Sequence, residues 1–174
     1  NNEDLAERLQ FMLKATGGVP SPFDNWILLR STKTLALRYQ KASDNAEKLA
    51  QWLSKQKSID RIIYPGLKSH PQNEIAKRQQ LTPNGDIIYG NMISIDLGNT
   101  QLRDTFLNHL ELFTLAESLG GVESLACVPF NMTHAAVPIE TKLEMGITES
   151  LIRLSIGIEN FEDLKSDLSK ALEL

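Results

Sequence analysis

The chain has 174 residues, 41% of them apolar and 23% charged, enough for one well-cored domain or for one domain with an attached helical segment. Its formal net charge of −4 speaks against a broad nucleic-acid footprint, which needs clustered Lys and Arg. No apolar run nears the roughly 20 residues of a membrane-spanning helix, and the single cysteine, Cys127, rules out an internal disulfide and fits a reducing compartment.

The opening residues, NNEDLAERLQF, are acidic and polar, unlike a signal or transit peptide. They lack an initiator Met and start inside a helical pattern, which suggests a piece of something longer. Leu5, Leu9, Met12 and Leu13 share one face of a short helix, and GGVPSP breaks it. A long helical region starts at Phe23, bends at the polar RSTKT and continues with Leu35, Tyr39, Ala42, Ala46, Leu49, Ala50 and Leu53 at spacings of four and three. IDRIIYPG then predicts a short strand closed by a Pro-Gly turn, and 72–80 a polar helix. Residues 91–97 alternate as a half-buried strand, and Leu102, Phe106 and Leu110 mark another helix. LFTL reads as a brief strand. The segment 116–148 has little periodicity and is rich in Gly, Pro, Ser and Thr; an irregular stretch of that length is usually functional. LIRLSIG is a last strand, and Phe161, Leu164, Leu168 and Leu172 form an amphipathic helix. Residues 58–174 therefore read as an α+β unit, and residues 1–57 as a helical arm that needs a surface to pack on.

Few residues carry a chemical signal. His70, His109 and His134 have no metal-ligand spacing among themselves or with Cys127, whose apolar setting suits a structural thiol. The Gly-Gly pairs at 17–18 and 120–121 match no phosphate-binding pattern. LRSTKTLAL, residues 29–37, raises the question of a cofactor lysine at Lys33. In LIRLSIG, alternation puts Ile152, Leu154 and Ile156 on one face and Arg153 and Ser155 on the other. An arginine in so apolar a strand needs an anionic partner. That partner is either an acidic residue of the chain or a substrate carboxylate, which the planar guanidinium grips well; the pattern leaves both open.

Five segments together, PSPFDNWILLRSTKTLALR, YPGLKSHPQNEIAKRQ, GNMISIDL, LFTLAESLGGVESLACVPFNMTHAAVP and LIRLSIGIENFEDLKSDLSKAL, are collinear and span nearly the whole chain. They resemble the C-terminal half of the Cys/Met-metabolism (transsulfuration) family of pyridoxal-phosphate enzymes, fold type I. Within it the likeness is greatest to members that cleave cystathionine on its γ side, through YPGLKSHPQ and AESLGGVESL with MTHAAVP. The fold implied is α/β (α+β): a C-terminal domain at 58–174 with a mostly antiparallel sheet covered by helices, after a long helical connector at 1–57.

The activity implied for the complete protein is cleavage of cystathionine to cysteine, 2-oxobutanoate and ammonia, with γ-synthase or β-lyase activity as alternatives. An alternative of another class is a stand-alone amino-acid-binding or interaction domain. By resemblance Arg153 binds the substrate α-carboxylate, Ser118 with the adjoining backbone of Leu119 helps hold it, and Glu117 sits beside the distal amino group. Thr133 and His134 look like a family signature supporting the site loop. The cofactor, pyridoxal 5′-phosphate, belongs to the family's N-terminal domain, which is absent here, so the resemblance implies no catalytic, cofactor-binding or metal residue in this chain and little activity for it alone. RSTKTLALR matches a family pattern well after the cofactor lysine, which leaves Lys33 a helix-surface lysine. The partners implied are a small amino-acid substrate, the missing cofactor half and further copies in a cytoplasmic tetramer, with no nucleic acid and no membrane.

Overall fold

In the computed structural model, which describes residues 2–173, the N-terminal periodicity becomes α1 (Glu3–Thr16). Asn2 caps it by accepting from the Leu5 N–H, Glu3 and Asp4 suit the positive end of its dipole, and Gly17 stops it in the left-handed conformation at φ 64°. The Pro-rich break leads to α2 (Pro22–Thr32), opened by a capping box between Ser21 and Asp24. Neither helix buries a residue, and Phe11, Phe23 and Leu29 are all exposed. After the turn at Lys33–Thr34 comes α3 (Leu35–Leu53).

Packing divides the chain between Ala36 and Leu37, earlier than the 57/58 boundary that the change of sequence pattern suggests. The reason lies in α3. Its apolar stripe of Ala42, Ala46, Leu49, Ala50 and Leu53 is buried in the core of the α+β unit rather than facing outward.

That unit is built on five strands: β1 (Arg61–Ile63), β2 (Met92–Asp96), β3 (Thr114–Leu115), β4 (Leu125–Cys127) and β5 (Leu151–Ser155). They lie in the order β1-β2-β5-β4-β3, with every pairing antiparallel except β3 to β4. Four helices follow the strands in sequence: α4 (Asn73–Gln79), α5 (Thr100–Asn108), α6 (Ile139–Glu144) and α7 (Phe161–Leu172). One face of the sheet presents Ile93, Ile95, Ala126, Ile152 and Leu154, which pack with Leu49 and Leu53 of α3, Phe106 of α5 and Leu164 and Leu168 of α7. Each Ile, Leu and Phe among them contributes about 1.5–3 kcal/mol of burial. The opposite face is closed at one end by Leu151 with Val128, Phe130 and Ile147, and its centre holds the half-buried Ser94 and Arg153.

Three buried acceptors and donors tie loops to this frame. Asp167 on α7 accepts from the N–H groups of Glu111, Leu112 and Phe113 and so fixes the entry to β3. Asp96 ends β2 by accepting from the Thr148 and Ser150 hydroxyls, both at 2.6 Å, and from Gly98 N–H. Asn45 of α3 donates to the carbonyls of Gly157 and Glu159.

The stretch 116–148 is less irregular than its composition predicts, since it contains β4 and α6. All three residues of β4 are buried, so no polar alternation marks it. The six residues of α6 start after Pro138 with no side-chain cap, and they are too few to show a period.

Candidate functional site

The strand alternation carries directly into the site. On β5, Ile152 and Leu154 go into the helix-covered core, so Arg153 and Ser155 share the other face. Arg153 stands between Ser94 of β2 and Cys127 of β4. Its Nη2 donates to the carbonyls of Glu117 at 2.7 Å and Ser118 at 3.4 Å. Its Nε is buried and has no hydrogen-bond partner. Among the described residues Arg153 forms no ion pair with an acidic side chain. A desolvated donor without an acceptor is costly, about 1–3 kcal/mol, and rare in native proteins. A carboxylate ligand is the group whose two oxygens suit a guanidinium edge.

The loop that meets Arg153 runs alongside β5 in the same direction and is held step by step. Beyond the two carbonyls on Arg153, Gly120 donates its N–H to Ser155 Oγ at 2.9 Å. Gly120 is left-handed, φ 75°, which the Gly at this turn permits without strain. Ile158 N–H donates to the Val122 carbonyl, and Gly157 N–H to Ser124 Oγ at 2.8 Å. Ser124 in turn donates its N–H and hydroxyl to the two carboxylate oxygens of Glu159. Gly157 is required by close approach: a Cβ there would run into the Val122 carbonyl and, at 2.7 Å, Glu123 C.

The structure thus brings Glu117 and Ser118 to Arg153, by their backbone carbonyls; both residues are otherwise exposed, as is Leu119. Thr133 and His134 bond to each other, Oγ1 to Nδ1 at 2.8 Å. Their loop is fastened by Lys142, whose Nζ donates to the carbonyls of Phe130 and Ala135 and lies over the Phe130 ring. His70 Nδ1 accepts from Gln72 N–H and His109 Nδ1 donates to the Thr105 carbonyl, both local ties. Cys127 is a buried free thiol; burial pushes its pKa up, and the charge of Arg153 offsets this only in part. The alternation of LIRLSIG puts Ser155 on this face without marking any role for it. Its partner lies 35 residues away, and no local spacing signals that contact.

A family model described as Cys/Met metabolism PLP-dependent enzyme matches residues 1–173. The cystathionine gamma-lyase of Bacillus subtilis is 47% identical over 172 residues, spanning 99% of this chain and 44% of its own length. The cystathionine beta-lyase of Lactococcus lactis is 46% identical over 173 residues, with 99% and 44% covered. Among solved structures, cystathionine gamma-lyase from Lactobacillus plantarum complexed with L-serine superposes with a TM-score of 0.86 at 40% identity, covering 99% of this chain and 44% of that one. Cystathionine gamma synthase from Xanthomonas oryzae pv. oryzae in complex with cystathionine gives 0.88 at 39%, with 99% and 43% covered. The chain spans less than half the length of the relatives it matches.

The described residues do not themselves fit pyridoxal phosphate. Lys142 is the buried lysine among them, and its Nζ is committed to two carbonyls. Lys33 is exposed at the carbonyl end of α2, and Gly17–Gly18 follow the carbonyl end of α1; both places repel a phosphate. Gly120 spends its N–H on Ser155. What β5 carries instead is a guanidinium with no acidic partner among the described residues and an unpartnered Nε.

Proposed function

We propose, from the premise that this chain belongs to the Cys/Met metabolism family of pyridoxal-phosphate-dependent enzymes, that it is the substrate-gripping part of a transsulfuration carbon–sulfur lyase acting on cystathionine. The observation that carries this reading is the buried, unpartnered Nε of Arg153 beside an Nη2 already anchored on two loop carbonyls. The anchored nitrogen fixes the plane of the guanidinium, and its remaining N–H groups are left for the α-carboxylate of the substrate. Ser118 and the backbone of Leu119 complete that grip in the proposal, and the exposed Glu117 carboxylate faces the distal amino group. Holding the carboxylate fixes the orientation of the amino acid's Cα, a contribution of positioning rather than of bond making.

Cleavage on the γ side, giving cysteine, 2-oxobutanoate and ammonia, is the reaction we assign to the complete protein; relatives named for γ-cleavage, β-cleavage and γ-synthesis all resemble the chain. The cofactor and its lysine lie in this reading outside the 174 residues, as the commitments of Lys142 and Gly120 and the place of Lys33 at a helix carbonyl end support. Oligomeric assembly and a cytoplasmic location belong to the same proposal and rest on the family alone.

The test has two arms. Pyridoxal phosphate added to this chain should give no yellow Schiff-base band, and a stoichiometric band abolished by Lys33→Ala would contradict the assignment. The chain extended to the length of its relatives should release 2-oxobutanoate from L-cystathionine. Pyruvate in its place would assign β-cleavage, and turnover only of an activated homoserine with cysteine would assign synthesis.

A further inference from the structure

Resting on the reading of Arg153 as the carboxylate grip, we infer that Ser155 is a positioning residue for that grip, acting through the loop 117–120. Ser155 is fully buried, two residues beyond Arg153 on the same face of β5; at strand rise the two are about 7 Å apart. Arg153 is bonded to the carbonyls of Glu117 and Ser118, and Ser155 Oγ receives the N–H of Gly120. Only Leu119 separates the two points of attachment.

The carbonyls that orient the guanidinium are therefore held down by the hydroxyl next along the strand. Further on, the loop is fixed by Ser124 and Glu159, so residues 118–121 are the part whose seat depends on Ser155. Without that hydroxyl the Gly120 N–H loses its acceptor, the turn lifts, and the two carbonyls leave Nη2. Arg153 then loses the anchor that sets the plane of its guanidinium. Serine suits the place: its hydroxyl accepts, and its small side chain lets the backbone of Gly120 come within 2.9 Å.

A structural role alone would lower stability and leave ligand affinity untouched, and the experiment separates the two. L-Cystathionine is titrated into the ¹⁵N-labelled chain and into Ser155→Ala, following the Arg153 Nε–H resonance and the exchange rate of the Gly120 amide. Ser150→Ala is the control: Ser150 is also a buried serine flanking Arg153, but its hydroxyl serves Asp96. Ser155→Ala should speed Gly120 exchange and weaken cystathionine binding about fivefold, the worth of one lost hydrogen bond, while Ser150→Ala binds as the unsubstituted chain does. Ser155→Cys, similar in size but a weak acceptor, reports the same loss should the alanine variant not fold. Unchanged affinity in Ser155→Ala, or an equal loss in Ser150→Ala, overturns the positioning role and leaves the carboxylate reading standing. No binding to the unsubstituted chain overturns both.

Discussion

Replacing Arg153 by Met separates binding from stability. The side chain keeps an unbranched apolar stem as far as the position of Nε and loses the rest of the guanidinium. What the fold gives up is the Nη2 bond to Glu117 at 2.7 Å and the longer one to Ser118 at 3.4 Å, in effect one good charge-assisted bond of about 1.5–3 kcal/mol. Both carbonyls belong to exposed residues and can turn to water. What the fold gains is relief of the buried, unpartnered Nε, whose desolvation costs about 1–3 kcal/mol. The two nearly cancel, so Arg153→Met should shift unfolding stability by no more than about 1 kcal/mol. Binding has no such compensation: losing one partner of a desolvated charge pair costs about 2–5 kcal/mol, roughly 30-fold to several-thousand-fold in Kd. Urea unfolding reads the first quantity and calorimetric titration with L-cystathionine the second. A stability loss of about 3 kcal/mol or more would make the guanidinium a structural tie, and unchanged affinity would place the carboxylate elsewhere.

Other outcomes follow from the frame around the site. The Asp96 carboxyl lies below the usual aspartate range: burial would raise it, but the hydroxyls of Ser150 and Thr148, Gly98 N–H and the charge of Arg61 outweigh that. A folded value below the unfolded one gives stability that is complete above about pH 4 and is lost as acid carries the pH down through the depressed value. Urea midpoints of wild type and Asp96→Asn should therefore draw together in acid and separate toward neutrality; parallel profiles would argue against this. Gly157→Ala places a methyl against Val122 and Glu123 and should cost about 1–3 kcal/mol of unfolding free energy, the range for overpacking; a neutral result would mean that the loop yields freely. Cys127, buried and with its pKa raised by that burial, should resist alkylation at neutral pH until urea unfolds the chain, and fast labelling of the native protein would show the sheet face to be open.

Much of this frame was legible in the residues because one-sided burial writes a period into sequence. The stripe Ala42–Ala46–Leu49–Leu53 and the alternation through Ile152 and Leu154 both lie where their patterns put them. Arg153 stood out for the same reason, a charge inside an apolar strand. Leu125–Cys127 escaped because it is buried throughout and carries no alternation. The boundary near residue 57 came from a change of pattern after α3, while packing follows α3's buried stripe into the sheet core. The pinning of the 117–124 loop by Ser155, Gly157 and Glu159 depends on partners more than 30 residues apart, which single-residue signals do not encode. The roles of Glu117, Ser118 and Leu119 came from family likeness, and the geometry adds that the first two meet Arg153 through carbonyls.

In the proposed function the guanidinium of Arg153 receives the α-carboxylate of an amino-acid substrate. The most direct measurement is the Arg153 Nε–H resonance of the labelled chain during titration with L-cystathionine, and separately with the amine of the same skeleton lacking its α-carboxyl groups. A saturable shift is expected with the amino acid and none with the amine. Equal shifts with both, or none with either, would contradict it.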